Sequence, residues 1–257
     1  MEIISFDISG KIAHFRKYYT NNTALSFSIP PRTTIMGMLA AIYGLPKDSY
    51  YELFSSDNID IGISSLYKTK KTIHRLNLLK ITGINDFRGN KGHIQTPFEI
   101  VTGENINKSN ITYRIFLRPV NIDEKIYTRL RELIKMKKNN FALTLGTANF
   151  NASLSNYKEY EATERNASGE FEYFDSSINS DDVQEIELLK GKDERISVVE
   201  EELMPADFIK NNNRELKKMN RMLFSVSSSQ IKAKLKKSSS VIELLEKGTK
   251  QQIQFMK

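Results

Sequence analysis

Regular hydrophobic periodicity in the first half of the chain predicts strands and helices in alternation. Strands follow from alternation of apolar and polar residues, and helices from apolar residues three and four positions apart. In chain order, the predicted elements are a strand at residues 1–9, a helix at 33–44, a short helix at 48–55, a strand at 59–67, a strand at 111–120, a helix at 123–137 and a strand at 141–145. Thr33 or Thr34 is the expected N-cap of the first long helix, and Gly44 its end.

Residues 68–107 interrupt this order and are rich in Lys, Arg, Asn, Gly and Thr. Strand-like segments at 73–81 and 93–101 flank a turn at 86–92, whose sequence is DFRGNKG. This pattern predicts a long two-stranded arm. With the arm and the short helix set aside, the order is βαββαβ, which is typical of ferredoxin-like and RNA-recognition-motif folds. The exposed sheet face of that fold often binds RNA, although a fold alone does not establish a function.

The pattern becomes weaker after Asn151. Short strands are predicted at 196–203, 222–226 and 229–235, and a last short helix at 241–247. The polar segment 210–220 fits either a helix or a loop. We therefore predict an α+β protein: a ferredoxin-like domain over residues 1–150, with a protruding hairpin arm at 68–107, and a small strand-rich extension over 151–257.

Composition narrows the possible classes of protein. The 257 residues are 39% apolar and 27% charged, which is typical of a globular protein. No apolar run reaches the roughly 18–20 residues that span a bilayer, and the N-terminus reads as a strand and not as a signal peptide. We therefore expect a cytoplasmic protein without a membrane partner. The chain has no cysteine, which excludes disulfides, thiolate metal sites and cysteine nucleophiles.

Charge is distributed in three blocks. Residues 1–140 have a net charge of +9, residues 141–207 of −11 and residues 208–257 of +9. Two basic blocks around an acidic one favour a polyanion on one surface and a protein partner or solvent on another. A lysine-rich surface that serves only solubility is the alternative.

No cofactor or metal site is expected. The three histidines, His14, His74 and His93, lack the spacing of metal-binding motifs, and the chain has no EF-hand loop and no phosphate-binding glycine loop.

Two basic clusters are candidates for RNA binding, because guanidinium groups and aromatic rings stack on bases while cations bind phosphates. One lies around HFRKYY and PPRTT, where the start of the predicted helix offers free amides to a phosphate. The other is the arm, which has seven basic residues between Lys68 and Lys91 against one acid, Asp86. The alternatives are a core role for the first cluster and a solvated edge for the second. The predicted RNA contacts are Arg16, Lys17, Tyr18, Pro31, Arg32, Thr33, Thr34, Gly37, Lys70, Lys71, His74, Arg75, Arg88, Lys91 and His93.

Residues 27–52, FSIPPRTTIMGMLAAIYGLPKDSYYE, resemble the N-terminal hallmark of the CRISPR-associated RAMP family that supplies the 5′-handle subunit of type I Cascade, the fifth family of that nomenclature. The core PPRTT-x-x-G-x-x-A-A-I carries most of the similarity. It extends back to Phe15-Arg16, forward through 92–105 and 113–119, and weakly to 142–146 and 202–205. The sequence is most similar to the type I-B branch.

This resemblance implies a ferredoxin-like domain with a hairpin thumb and a subunit that binds the 5′ handle of the guide crRNA without cleaving it. It also implies contacts with the Cascade backbone subunit and large subunit, near the target DNA. In the type I-C branch, the same protein cleaves precursor crRNA without metal, through tyrosine, lysine and histidine. Tyr43, Lys91 and His93 are the residues available here for that role. A metal-independent endoribonuclease and a protein-only structural adaptor therefore remain as alternatives.

Overall fold

The computed structural model describes residues 1–190, 196–209, 214–227, 230–246 and 249–256. Seventeen strands and two α-helices occur in these ranges, together with short 3₁₀ helices at Ile84–Arg88 and Ser180–Asp182. In chain order they are β1 (Glu2–Gly10), β2 (Ile12–Ala13), β3 (Phe15–Arg16), β4 (Ser26–Phe27), α1 (Arg32–Tyr43), β5 (Ile59–Ser65), β6 (Thr69–Leu79), β7 (His93–Gly103), β8 (Ile111–Pro119), α2 (Glu124–Lys135), β9 (Ala152–Asn166), β10 (Phe171–Phe174), β11 (Ile178–Asn179), β12 (Val183–Glu187), β13 (Val199–Phe208), β14 (Leu216–Ser225), β15 (Ile231–Leu235), β16 (Ser240–Glu246) and β17 (Thr249–Ile253).

An antiparallel sheet with the strand order β17-β16-β9-β1-β8-β5 forms the centre of the molecule. Its last four strands, β9-β1-β8-β5, are the fourth, first, third and second strands of a βαββαβ unit. This agrees with the predicted ferredoxin-like arrangement, and the predicted α+β class is confirmed.

Both faces of this sheet are covered. Ile4, Phe6 and Ile8 of β1 pack in a core that includes residues of α1 and α2, whereas Ile3 belongs to a second cluster with Phe116 and residues of β16 and β17. Apolar residues therefore lie on both sides of β1, as in a strand that is buried on both faces. The buried Asp7 of the same strand is neutralised by Arg114, whose Nε donates to Oδ1 at 2.8 Å.

The structure corrects three predictions of secondary structure. Residues 48–55 form turns and not a helix, and residues 241–246 of the predicted last helix belong to strand β16. Residues 141–145 form no strand; the fourth strand is β9, which begins at Ala152. A boundary at residue 150 would therefore separate β9, β16 and β17 from the sheet to which they belong. Residues 210–213, 229 and 247 of the predicted C-terminal elements lie outside the described residues.

The predicted arm is present as the hairpin β6–β7, inserted between the second and third strands of the βαββαβ unit. Its register runs from Thr69↔Gly103 to Leu79↔His93. Asp86 organises the tip, because its Oδ2 accepts hydrogen bonds from the backbone N of Thr82 and of Gly83 at 2.7 and 2.8 Å. The arm projects beyond the core, and it exposes eight large apolar side chains: Ile73, Leu76, Leu78, Leu79, Ile81, Ile84, Phe87 and Ile94.

The hairpin β13–β14 packs against the N-terminal half of the molecule, with β13 against α1. Its end near the arm is tied to the base of β6, where the backbone N of Thr69 donates to the carbonyl of Val226 at 3.0 Å. Near the opposite end of β13, Asp207 binds the side chain of Arg32. The C-terminal half therefore contributes directly to the surroundings of α1.

Candidate nucleic-acid interface

A groove with a volume of about 670 Å³ lies beside the N-terminal half of α1. The N-terminal segment, α1, residues 142–147 and the hairpin β13–β14 all border it. Six predicted RNA contacts line this groove: Arg16, Tyr18, Pro31, Thr33, Thr34 and Gly37. The segments HFRKYY and PPRTT are separate in sequence, and the structure places residues of both on the same groove.

The start of α1 lacks the usual side-chain cap. Its N-cap is Pro31, and not the predicted Thr33 or Thr34. No side chain caps the helix, and its first turn contains no acidic residue. The amides of Thr34 and Ile35 both donate to the carbonyl of Pro31, at 2.9 and 3.1 Å. The first turn of α1 itself therefore has no carboxylate that would compensate the positive end of the helix dipole, which favours an anion at this position.

Aromatic side chains form part of the groove surface. The rings of His14 and Phe98 are stacked, with centroids 4.0 Å apart, and Tyr18 is half exposed at the rim. Burial lowers the pKa of His14, against the opposing effect of a hydrogen bond with the Glu99 carbonyl. At neutral pH His14 is uncharged, and its Nδ1, 2.6 Å from that carbonyl oxygen, is the protonated nitrogen. Tyr18 and the partly exposed Phe98 provide flat surfaces on which bases stack, whereas His14 is buried and packs against the Phe98 ring.

Gly146 keeps the groove wall close to the N-terminal segment. Its φ is +98°, and a Cβ at this position would lie 1.8 Å from the carbonyl oxygen of His14. Only glycine fits both conditions. The backbone of His14 is held here by donating its N–H to the carbonyl of Leu145 at 3.0 Å.

The structure contradicts the surface role predicted for Arg32. Its side chain is fully buried, and Nη1 donates to Asp207 Oδ1 while Nη2 donates to the Ile59 carbonyl, both at 2.7 Å. Burial lowers the pKa of Arg32, and the charges of Asp207 and Asp60 oppose that effect. Arg32 therefore joins α1 to the C-terminal hairpin and is not available to RNA.

Lys17 and Lys71 are also held by carboxylates of β13. Lys17 forms an ion pair with Glu202 and is about nine-tenths buried. Burial lowers its pKa, but the hydrogen bond and charge of Glu202 raise it more. Lys71 Nζ lies 3.6 Å from Glu200. These two lysines are thus less available to a phosphate than the sequence suggested.

The register of the arm divides its predicted contacts between two faces, because directly opposed residues of an antiparallel pair share a face. His74 is opposite Phe98, so Lys70 and His74 lie on the face that continues from the groove. Lys71, Arg75 and His93 alternate onto the other face. Arg88 lies in the last turn of the tip helix and is exposed.

The structure does not bring Tyr43, Lys91 and His93 together. Tyr43 ends α1 and packs against the main core, whereas Lys91 lies at the arm tip, where its Nζ donates to Thr82 Oγ1 at 2.7 Å. His93 begins β7, five residues from Phe98 at the groove and therefore roughly 17 Å away along the strand. None of the three lines the groove. The predicted catalytic set is not assembled.

Sequence reasoning missed the C-terminal side of the groove. Pro205, Phe208, Arg214 and Leu216 line it from the hairpin β13–β14. Arg214 falls in the polar segment that fitted either a helix or a loop, and no local signal connects that segment with Arg16. Only the packing of the hairpin against α1 places Arg214 on the same groove as Arg16.

Two general features of the described residues bear on the type of protein. None of their helices has the length and apolar character needed to cross a membrane. Within the same ranges, no three His, Cys, Asp or Glu side chains are grouped as ligands for a metal ion.

A search of curated proteins found no match. A CRISPR protein from Archaeoglobus fulgidus, known from its crystal structure, is similar over 98% of this chain and 99% of its own, with a TM-score of 0.55 and 16% identity. A chain of a CRISPR RNA-guided surveillance complex matches over 91% of this chain and 92% of its own, with a TM-score of 0.47 and 9% identity. The chain thus has the fold of the Archaeoglobus fulgidus protein, and its residues 3–93 match the family described as CRISPR-associated protein (Cas_Cas5).

Proposed function

We propose that this protein is a non-catalytic RNA-binding subunit of a type I CRISPR surveillance complex, of the type I-B branch, and that the groove beside α1 binds the 5′ handle of the guide crRNA. The observation that carries the proposal is the groove itself. It combines an uncapped helix N-terminus, an exposed arginine and aromatic rings, which are three kinds of group that RNA binding uses. The match of residues 3–93 supports the CRISPR context.

In this proposal each part of the groove has a defined role. A phosphate of the handle lies near the start of α1, where Arg16 and the amides of the first turn attract it. Unpaired bases stack on Tyr18 and on the partly exposed ring of Phe98, against which the buried His14 packs. Only a single strand offers unpaired bases, so the groove would select a single-stranded handle over a duplex.

The arm supplies contacts outside the groove. Lys70 and His74 lie on the face that continues from Phe98, and they would extend the RNA path. At the tip, Ile84 and Phe87 are 88% and 69% exposed, which is unusual for large apolar residues. We propose that the tip contacts neighbouring subunits, the backbone and large subunits of the complex, close to the target DNA.

A direct binding measurement tests the proposal. We expect fluorescently labelled RNA with the repeat-derived 5′ handle from the same genome to bind the full chain, with an affinity that falls as salt increases. Loss of one charged phosphate contact costs about 1.5–3 kcal/mol, so Arg16→Ala should weaken binding roughly 10- to 150-fold. Tyr18→Ala should have an effect of about 1–3 kcal/mol through lost stacking.

Arg129→Ala is the matched control, because Arg129 is an exposed arginine on α2 that pairs only with Glu132 among the described residues. Equal affinities for the Arg16 and Arg129 variants would contradict the proposal. Salt-independent assembly without RNA binding would instead favour a protein-only adaptor. Cleavage of a repeat transcript in EDTA would favour a metal-independent endoribonuclease.

A further inference from the structure

We propose that Arg214 of the C-terminal hairpin is the second phosphate-binding cation of the groove, so that the RNA strand passes between Arg16 on one wall and Arg214 on the other. This inference rests on the proposed function. Among the described residues that border the groove, Arg16 and Arg214 are the two that carry a permanent positive charge. Neither is buried, since the Arg214 side chain is 52% exposed.

Arg214 is fixed at the rim by Asp48. Its Nε and Nη2 lie 3.1 and 3.0 Å from a single carboxylate oxygen, Oδ1. A guanidinium group has five N–H donors, and Asp48 engages two of them. Asp48 is held in turn by the hydroxyl of Tyr51. This arrangement orients the guanidinium group while leaving donors for a ligand.

The backbone supports the same conclusion independently. Arg214 has a φ of +64° and Asp48 a φ of +63°, so two residues in the left-handed region meet across the ion pair. Asp tolerates this region, whereas it strains the backbone of Arg. Such strain persists where surrounding contacts impose it, and it is common at ligand clamps.

The wall that carries Arg214 is anchored to α1. Phe208 packs edge-on against Tyr51, with ring centroids 5.1 Å apart, and the neighbouring Asp207 holds the buried Arg32. Arg214 lies two residues before β14, beside the pair Phe208↔Leu216 and the hydrogen bond that the backbone N of Ile209 donates to the carbonyl of Glu215 at 2.8 Å. A strand that enters the groove would meet cations from both halves of the chain.

The test compares variants of the full chain in binding to the labelled handle RNA at several salt concentrations. Arg214→Asn removes the charge and suits a positive φ, so the hairpin should stay folded, which circular dichroism would verify. We expect an affinity about tenfold lower. The slope of log affinity against log salt should decrease by about 0.7, the value for one phosphate contact on a single strand. Arg214→Lys should keep the slope with a smaller loss of affinity.

Lys217→Asn is the matched control. Lys217 is on the same hairpin, is similarly exposed at 56%, and pairs with the exposed Asp57, but it does not line the groove. Its variant should bind within about twofold of the wild type. If Arg214→Asn matches Lys217→Asn while Arg16→Ala weakens binding, the two-arginine clamp is refuted and the proposed function stands. If the wild type binds no handle RNA, both fail.

Discussion

Replacement of Arg32 should lower the free energy of unfolding without weakening RNA binding by the folded protein. The guanidinium group is buried with Asp207, and it also donates to the carbonyl of Ile59. In Arg32→Ala, Asp207 keeps its hydrogen bonds from Ser56, including one from the backbone N at 3.1 Å, but loses its counter-charge. Removal of one partner from a buried ion pair costs about 3–5 kcal/mol, because the other charge stays buried without compensation.

Urea unfolding followed by circular dichroism measures this loss. Asp207→Ala should cost a similar amount, whereas the double variant should cost less than the sum of the two, since no lone charge remains. Folded Arg32→Ala protein should bind handle RNA within about twofold of the wild type, because Arg32 does not line the groove. An unchanged free energy of unfolding together with lost RNA binding would refute this account of Arg32.

Two further predictions concern the histidine in the groove and the arm. Burial lowers the pKa of His14 below the value of the unfolded chain, near 6.5, so the unfolded state binds the proton first as pH falls. The stability of the wild type relative to His14→Gln should therefore be greatest above about pH 6.5 and should decrease towards pH 5.5; urea titrations that give a constant difference would contradict this. Replacement of residues 82–92 by a short Gly-Ser turn should change Tm by only a few degrees, because Ile84 and Phe87 are exposed, yet it should weaken assembly with partner subunits. A large loss of Tm would mean that the tip packs as core.

Much of the fold follows from local pattern. Strand β1, helix α1 and the arm are recognisable because alternation, helical spacing and turn residues are all present in the segment itself. Strand β9 was missed because its sequence is polar. Its charged side chains are satisfied by other strands, as in the pairs of Arg165 with Glu243 and of Lys158 with Glu246. A strand stabilised by cross-strand ion pairs leaves no hydrophobic alternation to detect.

The candidate site likewise contains residues that the sequence identified and residues that it did not. Arg16, Tyr18 and the start of α1 form one cluster in the sequence prediction, and the structure places them around one groove; their binding of RNA stays a prediction. Arg32 was misassigned because its partner, Asp207, is 175 residues away. Arg214 was missed for the same reason. The difference between a surface arginine and a buried one depends on tertiary contacts that no local pattern contains.

The position of the handle on the protein is the most direct test of the central claim. Photocrosslinking of handle RNA that contains 4-thiouridine, followed by mass spectrometry of the full chain, identifies the residues in contact with bases. We predict crosslinks at Tyr18 and Phe98, which border the groove. Crosslinks confined to α2 or to the outer strands β10, β12 and β15, with none at the groove, would contradict the account.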